Sequence, residues 1–177
     1  LIEIWQKLKE NPYELIEWYA LRRNRIESEN PVDVYEDVKA SFNNNHNGAD
    51  FLYLTRTCYG GIVRFRKSDG YMSTPCGVHT PIPSSTFEKR VFEWKSRMKN
   101  VSFIHSDYKE VFGMAKNGDL IYCDPPYSHS QSILYGAQDF KLEELFIEIE
   151  KAKSKGVRVA LSIDGSKKSG NYLCDLP

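Results

Sequence analysis

Four consecutive residues, Asp124-Pro125-Pro126-Tyr127, bring together a carboxylate acceptor, two prolines that carry no N–H, and an aromatic ring. Proline holds φ near one value, so the pair dictates where the Pro125 carbonyl oxygen points. A carboxylate and a carbonyl aimed together suit an amino group that gives up two hydrogen bonds. The Tyr127 ring offers a face on which a planar ring can stack. The run follows Leu120–Cys123 directly, an apolar segment of strand type introduced by Asn117-Gly118. In open α/β sheets, ligands bind just beyond the carboxyl ends of strands. A plain strand ending in a proline turn would look the same in isolation, so the neighbouring elements carry the decision.

Those elements change character along the chain. The first 47 residues read as helical: Ile4, Leu8, Leu15, Ile16, Tyr19 and Leu21 recur at helical intervals, and Asn11-Pro12 supplies a cap and a first-turn proline for Tyr13–Ile26. Pro31, Val32, Tyr35 and Val38 predict a further short helix ending near Asn43-Asn44-Asn45, with Trp5, Trp18 and Tyr19 as core anchors. Two short β-like runs, Ile62–Arg66 and Tyr71–Thr74, flank Ser68-Asp69-Gly70, a hairpin signal. Ser84-Ser85-Thr86 with Glu88 reads as a capped start for a helix running to Met98. From Asn100 the pattern alternates: strand Val101–Ile104, helix Tyr108–Ala115, strand Leu120–Cys123, amphipathic helix Lys141–Lys155, and a β-rich run Val157–Ile163. Short joints between such elements imply an α/β fold with a parallel sheet.

Composition narrows the class. The chain has 177 residues, 41% hydrophobic and 13% aromatic, with 11 Gly and 8 Pro, which excludes collagen-like, low-complexity and wholly disordered chains. No run approaches the length of a membrane span, and no signal-type segment opens the sequence, so no membrane partner is expected. Lys+Arg and Asp+Glu both total 24, but residues 51–100 hold nine basic against three acidic side chains. A local basic excess suits contact with a polyanion. Cys58, Cys76, Cys123 and Cys174 form no C-x-x-C, and the four histidines show no ligand spacing, so neither a metal nor a disulfide framework is expected and reduced thiols in a cytoplasmic protein fit best. Metal-hydrolase and Ser/His/Asp-hydrolase readings lack a constellation.

The tetrapeptide resembles the catalytic motif of amino-methyltransferases that use S-adenosylmethionine. The wider stretch Gly118–Tyr127, with Tyr135 and Phe140 downstream, is similar to the Dam-type (D12 class) DNA adenine methyltransferases. A second block, Phe51–Arg64 followed by Gly70, Pro75 and Gly77, resembles the target-recognition segment of that family. The resemblance implies a Rossmann-like class I methyltransferase core with a helical and β-hairpin DNA-recognition lobe. The recognition region is expected over residues 1–85 and part of the catalytic domain over 86–177.

The same resemblance implies methyl transfer from S-adenosylmethionine to the N6 amine of an adenine flipped out of duplex DNA, without a metal. Asp124 and the Pro125 carbonyl would accept the amine hydrogens, Pro126 would stiffen the turn, and Tyr127 would stack on the base. The cofactor would meet Asp124 and the segment Ser106-Asp107-Tyr108, where Asp107 reads equally as a helix N-cap. Arg64 would read a guanine edge, Tyr59 would wedge into the space left by the flipped base, and Arg56, Arg66 and Lys67 would hold phosphates, with Pro75 a further DNA contact. Members often carry Asn where Gly60 stands and a basic residue where Val78 stands, so a GATC target is one possibility among several. The glycine-rich cofactor turn of the family is absent, which implies a fragment of a longer enzyme. Cytosine, RNA or protein-amide methylation and a DNA-binding fragment without activity are the alternatives; a restriction endonuclease is the functional counterpart to expect.

Overall fold

In a computed structural model, residues 1–126 and 140–163 are described. They form seven α-helices and a two-stranded parallel sheet, and the chain divides into two compact units, Leu1–His105 and Ser106–Pro177.

Three helices of the first unit are started by asparagine. α1 spans Ile2–Glu10, α2 Pro12–Arg23, α3 Pro31–Asn44 and α4 Gly48–Thr57. Ahead of α2, α3 and α4, the side chains of Asn11, Asn30 and Asn47 accept hydrogen bonds from the backbone N–H groups of Glu14, Val32 and Asp50. Pro12 and Pro31 occupy first-turn positions where no N–H donor is needed. A 3₁₀ turn, Asn24–Glu27, prolongs α2. The apolar run at Ala49–Thr55 is the middle of α4, which feeds two cores at once. Leu52 packs with Leu8, Leu15, Tyr19, Phe87 and Val91; Tyr53 and Leu54 pack with Val34, Tyr35, Phe42 and Met72. Asp50, buried on the same helix, accepts from Arg22 Nε at 2.7 Å, Ser41 Oγ at 2.7 Å and Asn47 Nδ2 at 2.8 Å.

The two β-like runs at 62–66 and 71–74 do come together as an antiparallel hairpin, but through an interrupted ladder. Arg66 N donates to Tyr71 O and Ser73 N to Arg64 O, each at 2.9 Å, around the Phe65–Met72 pair. One step further the Thr74 hydroxyl replaces a backbone partner: it accepts from Arg64 N at 2.8 Å and donates to Ile62 O at 2.9 Å.

α5 spans Ser84–Arg97 and packs Phe87 face to face on Tyr19, with centroids 4.1 Å apart. Its expected serine cap does not form. Pro83 holds the cap position without a side-chain bond, and Ser84 Oγ donates to Asn24 Oδ1 instead. The expected strand Val101–Ile104 is not one either. Its alternation is real, since Val101 and Phe103 pack on the first unit and Phe103 stacks on Trp5 at 5.5 Å. No strand among the described residues pairs with it, and Lys9 Nζ occupies the Val101 carbonyl. α5 and this extended segment both belong to the first unit, which ends at His105.

The second unit holds α6 (Tyr108–Met114), β1 (Leu120–Cys123), α7 (Leu142–Ser154) and β2 (Arg158–Leu161). β1 and β2 run parallel with Leu120 opposite Arg158 and Cys123 opposite Leu161. Phe112, Cys123, Leu145, Ala152 and Val157 form its core. The parallel pairing and the helix between the strands match the α/β class.

Candidate active site

Asp124 stands immediately past the carboxyl end of β1. Ser162 N donates to Cys123 O at 2.9 Å, so sheet pairing holds the last strand residue firmly and releases the chain at Asp124. The Asp124 side chain is exposed, while Pro125 and Pro126 are half-buried. All three line a cavity of about 410 Å³, within the range of roughly 300–1,000 Å³ usual for small-ligand sites. Its other walls are apolar and aromatic, chiefly Tyr108, Phe112, Ile121, Tyr122 and Phe140. Tyr127 lies outside the described residues.

The second element at the cavity is the start of α6. Asp107 Oδ1 accepts from Lys109 N at 2.9 Å, so Asp107 serves as the helix N-cap. Its neighbour Ser106 lines the cavity, and Ser106 Oγ hydrogen-bonds to the Glu110 carboxylate. Tyr108 meets Phe140 and Phe112 edge to face, with centroids 6.1 and 6.2 Å away. Burial raises its phenol above the usual range, against the opposing charge of Lys109, so Tyr108 is a neutral wall. Lys109 Nζ donates to Glu144 Oε2 at 2.6 Å and links α6 to α7; this bond holds the Glu144 carboxyl below its usual range. Burial likewise raises the Cys123 thiol. Phe112, one helical turn after Tyr108, is a wall residue that sequence reasoning did not name; the i, i+4 spacing was the available signal. The described residues contain no cluster of three or more His, Cys, Asp or Glu able to hold a metal, and no helix long and apolar enough to cross a membrane.

The end of α4, the 3₁₀ turn Tyr59–Gly61 that follows it and the hairpin of the first unit carry the remaining candidates. Arg64 and Lys67 are exposed, and neither side chain has a hydrogen bond or ion pair among the described residues. Arg66 is engaged: its guanidinium lies 4.2 Å from the Tyr71 ring centroid and pairs with Asp69 at 2.9 Å. Tyr59 is 61% exposed, and Arg56, Tyr59, Gly60 and Val78 line one shallow hollow. Pro75 is exposed beside it, its carbonyl accepting from Tyr59 N at 2.9 Å. Gly60 has φ 63° and ψ 6°, a left-handed conformation that Asn also tolerates, so Gly in place of Asn preserves this backbone.

The amino-acid sequence is similar to those of known proteins. A DNA adenine methylase of Vibrio cholerae serotype O1 is 28% identical over 178 residues, covering 92% of this chain and 61% of the relative. The DNA N-6-adenine-methyltransferase of Escherichia phage P1 is 27% identical over 94% of this chain and 23% of its own length. The Retron Ec67 DNA adenine methylase of Escherichia coli is 32% identical over 52% of this chain and 34% of its own length. The chain therefore spans about six-tenths of the first of these relatives and less of the others. The family model for D12 class N6 adenine-specific DNA methyltransferase matches residues 1–173. On that match, the chain belongs to the D12 class of N6 adenine-specific DNA methyltransferases.

Proposed function

We propose that the protein to which this chain belongs methylates the N6 amine of a specific adenine in duplex DNA. The observation that carries this reading is the Asp124 carboxylate standing free at the carboxyl end of β1, beside two prolines, on a cavity walled by aromatic rings. An adenine amine is a poor nucleophile because its lone pair is delocalised into the ring. Asp124 accepts one amine hydrogen and the Pro125 carbonyl the other, which draws the nitrogen toward tetrahedral geometry and localises the lone pair. Their contribution is positioning and electrostatic stabilisation. A paired base cannot reach such a cavity, so the adenine is flipped out of the stack, with Tyr127 as the stacking partner.

The walls also fit S-adenosylmethionine. Tyr108, Phe112 and Phe140 offer apolar surface for its adenine, Ser106 a hydroxyl, and Asp124 a carboxylate compatible with a sulfonium. When bound, this cofactor supplies an electrophilic methyl group. The first unit, with its hairpin, reads the duplex: Arg64 on a base edge, Arg56, Arg66 and Lys67 on phosphates, and Tyr59 and Pro75 against the opened step. The family resemblance supports a Rossmann-like core, work in the cytoplasm, and a restriction endonuclease as functional counterpart.

The test is Asp124→Ala in the full-length protein. Methyl incorporation into duplex DNA is abolished while DNA affinity stays within severalfold. Substantial turnover by the variant removes Asp124 from the chemistry and overturns the assignment.

A further inference from the structure

Cys58 and Cys76 stand directly opposite each other where the two arms of the hairpin segment meet α4. Tyr59 N donates to Pro75 O at 2.9 Å and Gly77 N to Thr57 O at 2.7 Å, so the backbone bonds flank the pair and leave the cysteines as a non-hydrogen-bonded antiparallel pair. In that type of pair the Cα atoms approach to about 4.5 Å and the side chains stand closest. A disulfide spans Cα separations of roughly 4.4–6.8 Å. Both side chains turn to one face: Cys58 is buried among Tyr35, Tyr53 and Met72, and Cys76 packs against the same cluster. The approach is closed by Gly77, where an added Cβ would come within 2.9 Å of the Thr57 and Cys58 carbonyl oxygens. Both thiols are free.

We propose that Cys58 and Cys76 form a dithiol site that a small-molecule disulfide, such as oxidised glutathione, closes into a cross-strand disulfide. Cys76, the partly exposed thiol, reacts first. It gives its proton to solvent, and the thiolate attacks one sulfur of the oxidant, breaking that S–S bond; the departing glutathione thiolate takes up a proton. The deprotonated Cys58 sulfur then attacks Cys76 Sγ and releases the second glutathione. Two protein thiols are oxidised and one small disulfide is reduced to two thiols. Burial raises the Cys58 and Cys76 thiols, in keeping with a reduced resting state. The product closes the segment carrying Tyr59, Arg64 and Arg66 into a covalent loop. This inference stands apart from the catalytic reading, because it concerns only the first unit's backbone pairing.

The experiment exposes the purified chain to oxidised glutathione, quenches with an alkylating agent and maps linked peptides by mass spectrometry. The expected product is a Cys58–Cys76 linkage with loss of two alkylatable thiols and a melting temperature higher by roughly 5–10 °C. Cys76→Ser abolishes both changes, and reduction reverses them in the wild type. A stable mixed disulfide left on Cys76, linkage of either residue to Cys123 or Cys174, or continued alkylation of both thiols overturns the proposal.

Discussion

The Tyr35 hydroxyl donates to the Thr74 carbonyl oxygen at 2.7 Å, tying the middle of α3 to the returning arm of the hairpin inside the core. Both residues are buried, and burial raises the Tyr35 phenol above its ordinary range, so the donor is always protonated near neutrality. Tyr35→Phe keeps the ring and strands the carbonyl. A loss of about 1–2 kcal/mol in urea unfolding is expected, with the denaturant slope unchanged. An unchanged midpoint would mean that this bond contributes nothing to holding the hairpin.

The side chain of Thr74 has the complementary task. It occupies a ladder position, accepting from Arg64 N and donating to Ile62 O. Thr74→Val preserves shape but leaves two backbone groups unpaired, at a cost of about 1–3 kcal/mol. Amide hydrogen exchange at Arg64 should accelerate sharply, and Thr74→Ser should restore protection. Equal exchange in all three proteins would show that Arg64 N is held by something else.

Alkaline pH should unfold the first unit. Tyr19, Tyr35 and Tyr53 are almost fully buried, and burial raises all three phenols, Tyr53 to about 12. Unfolded tyrosine ionises near pH 10. A folded value above the unfolded one means the neutral form is favoured by folding. Its contribution is therefore complete below about pH 10 and is lost as pH rises from there through about 12. Tyrosinate absorbance and helical circular dichroism should change together in that window; ionisation of these tyrosines without loss of helix would refute the coupling.

What was legible in the sequence was what neighbours in sequence decide. Asn11-Pro12 and Asn30-Pro31 mark helix starts because cap and proline act within one turn. Asp124-Pro125-Pro126 was legible for the same reason: a strand, a carboxylate and two stiff residues in a row. Gly48–Thr57 was not legible as a helix, since a short apolar run has no period that separates helix from strand. Val101–Ile104 has strand alternation, but a strand also needs a partner, and that depends on the whole fold. Phe112 and Phe140 reach one cavity only through the packing of α6 and α7. The Cys58–Cys76 pairing follows from hairpin register, which no cysteine spacing announces.

Asp50 should be the costliest single polar position in the first unit. Its side chain is 4% exposed and joins α2, α3 and the α4 cap through Arg22, Ser41 and Asn47. Asp50→Ala removes one charge and leaves the other three groups without their acceptor, at a cost of about 3 kcal/mol. Asp50→Asn should recover part of this loss, because one oxygen remains to accept. A midpoint for Asp50→Ala within error of the wild type would show that water replaces the carboxylate without penalty.

Arg64 and Lys67 should separate base reading from phosphate holding. Both extend from the hairpin without a partner among the described residues, whereas Arg66 is already held by Asp69 and Tyr71. A guanidinium can bond two acceptors of a guanine edge, so Arg64→Ala should cost about 1–3 kcal/mol of discrimination at one base pair and little on random DNA. An ammonium on a phosphate carries no sequence information. Lys67→Ala should weaken all duplexes alike and make the log–log salt dependence of binding shallower by about 0.9. The measurement is affinity of the full-length protein for matched and single-substituted duplexes across a salt series. If Arg64→Ala instead weakens every duplex equally and flattens the salt slope, Arg64 contacts phosphate and the base reader lies elsewhere.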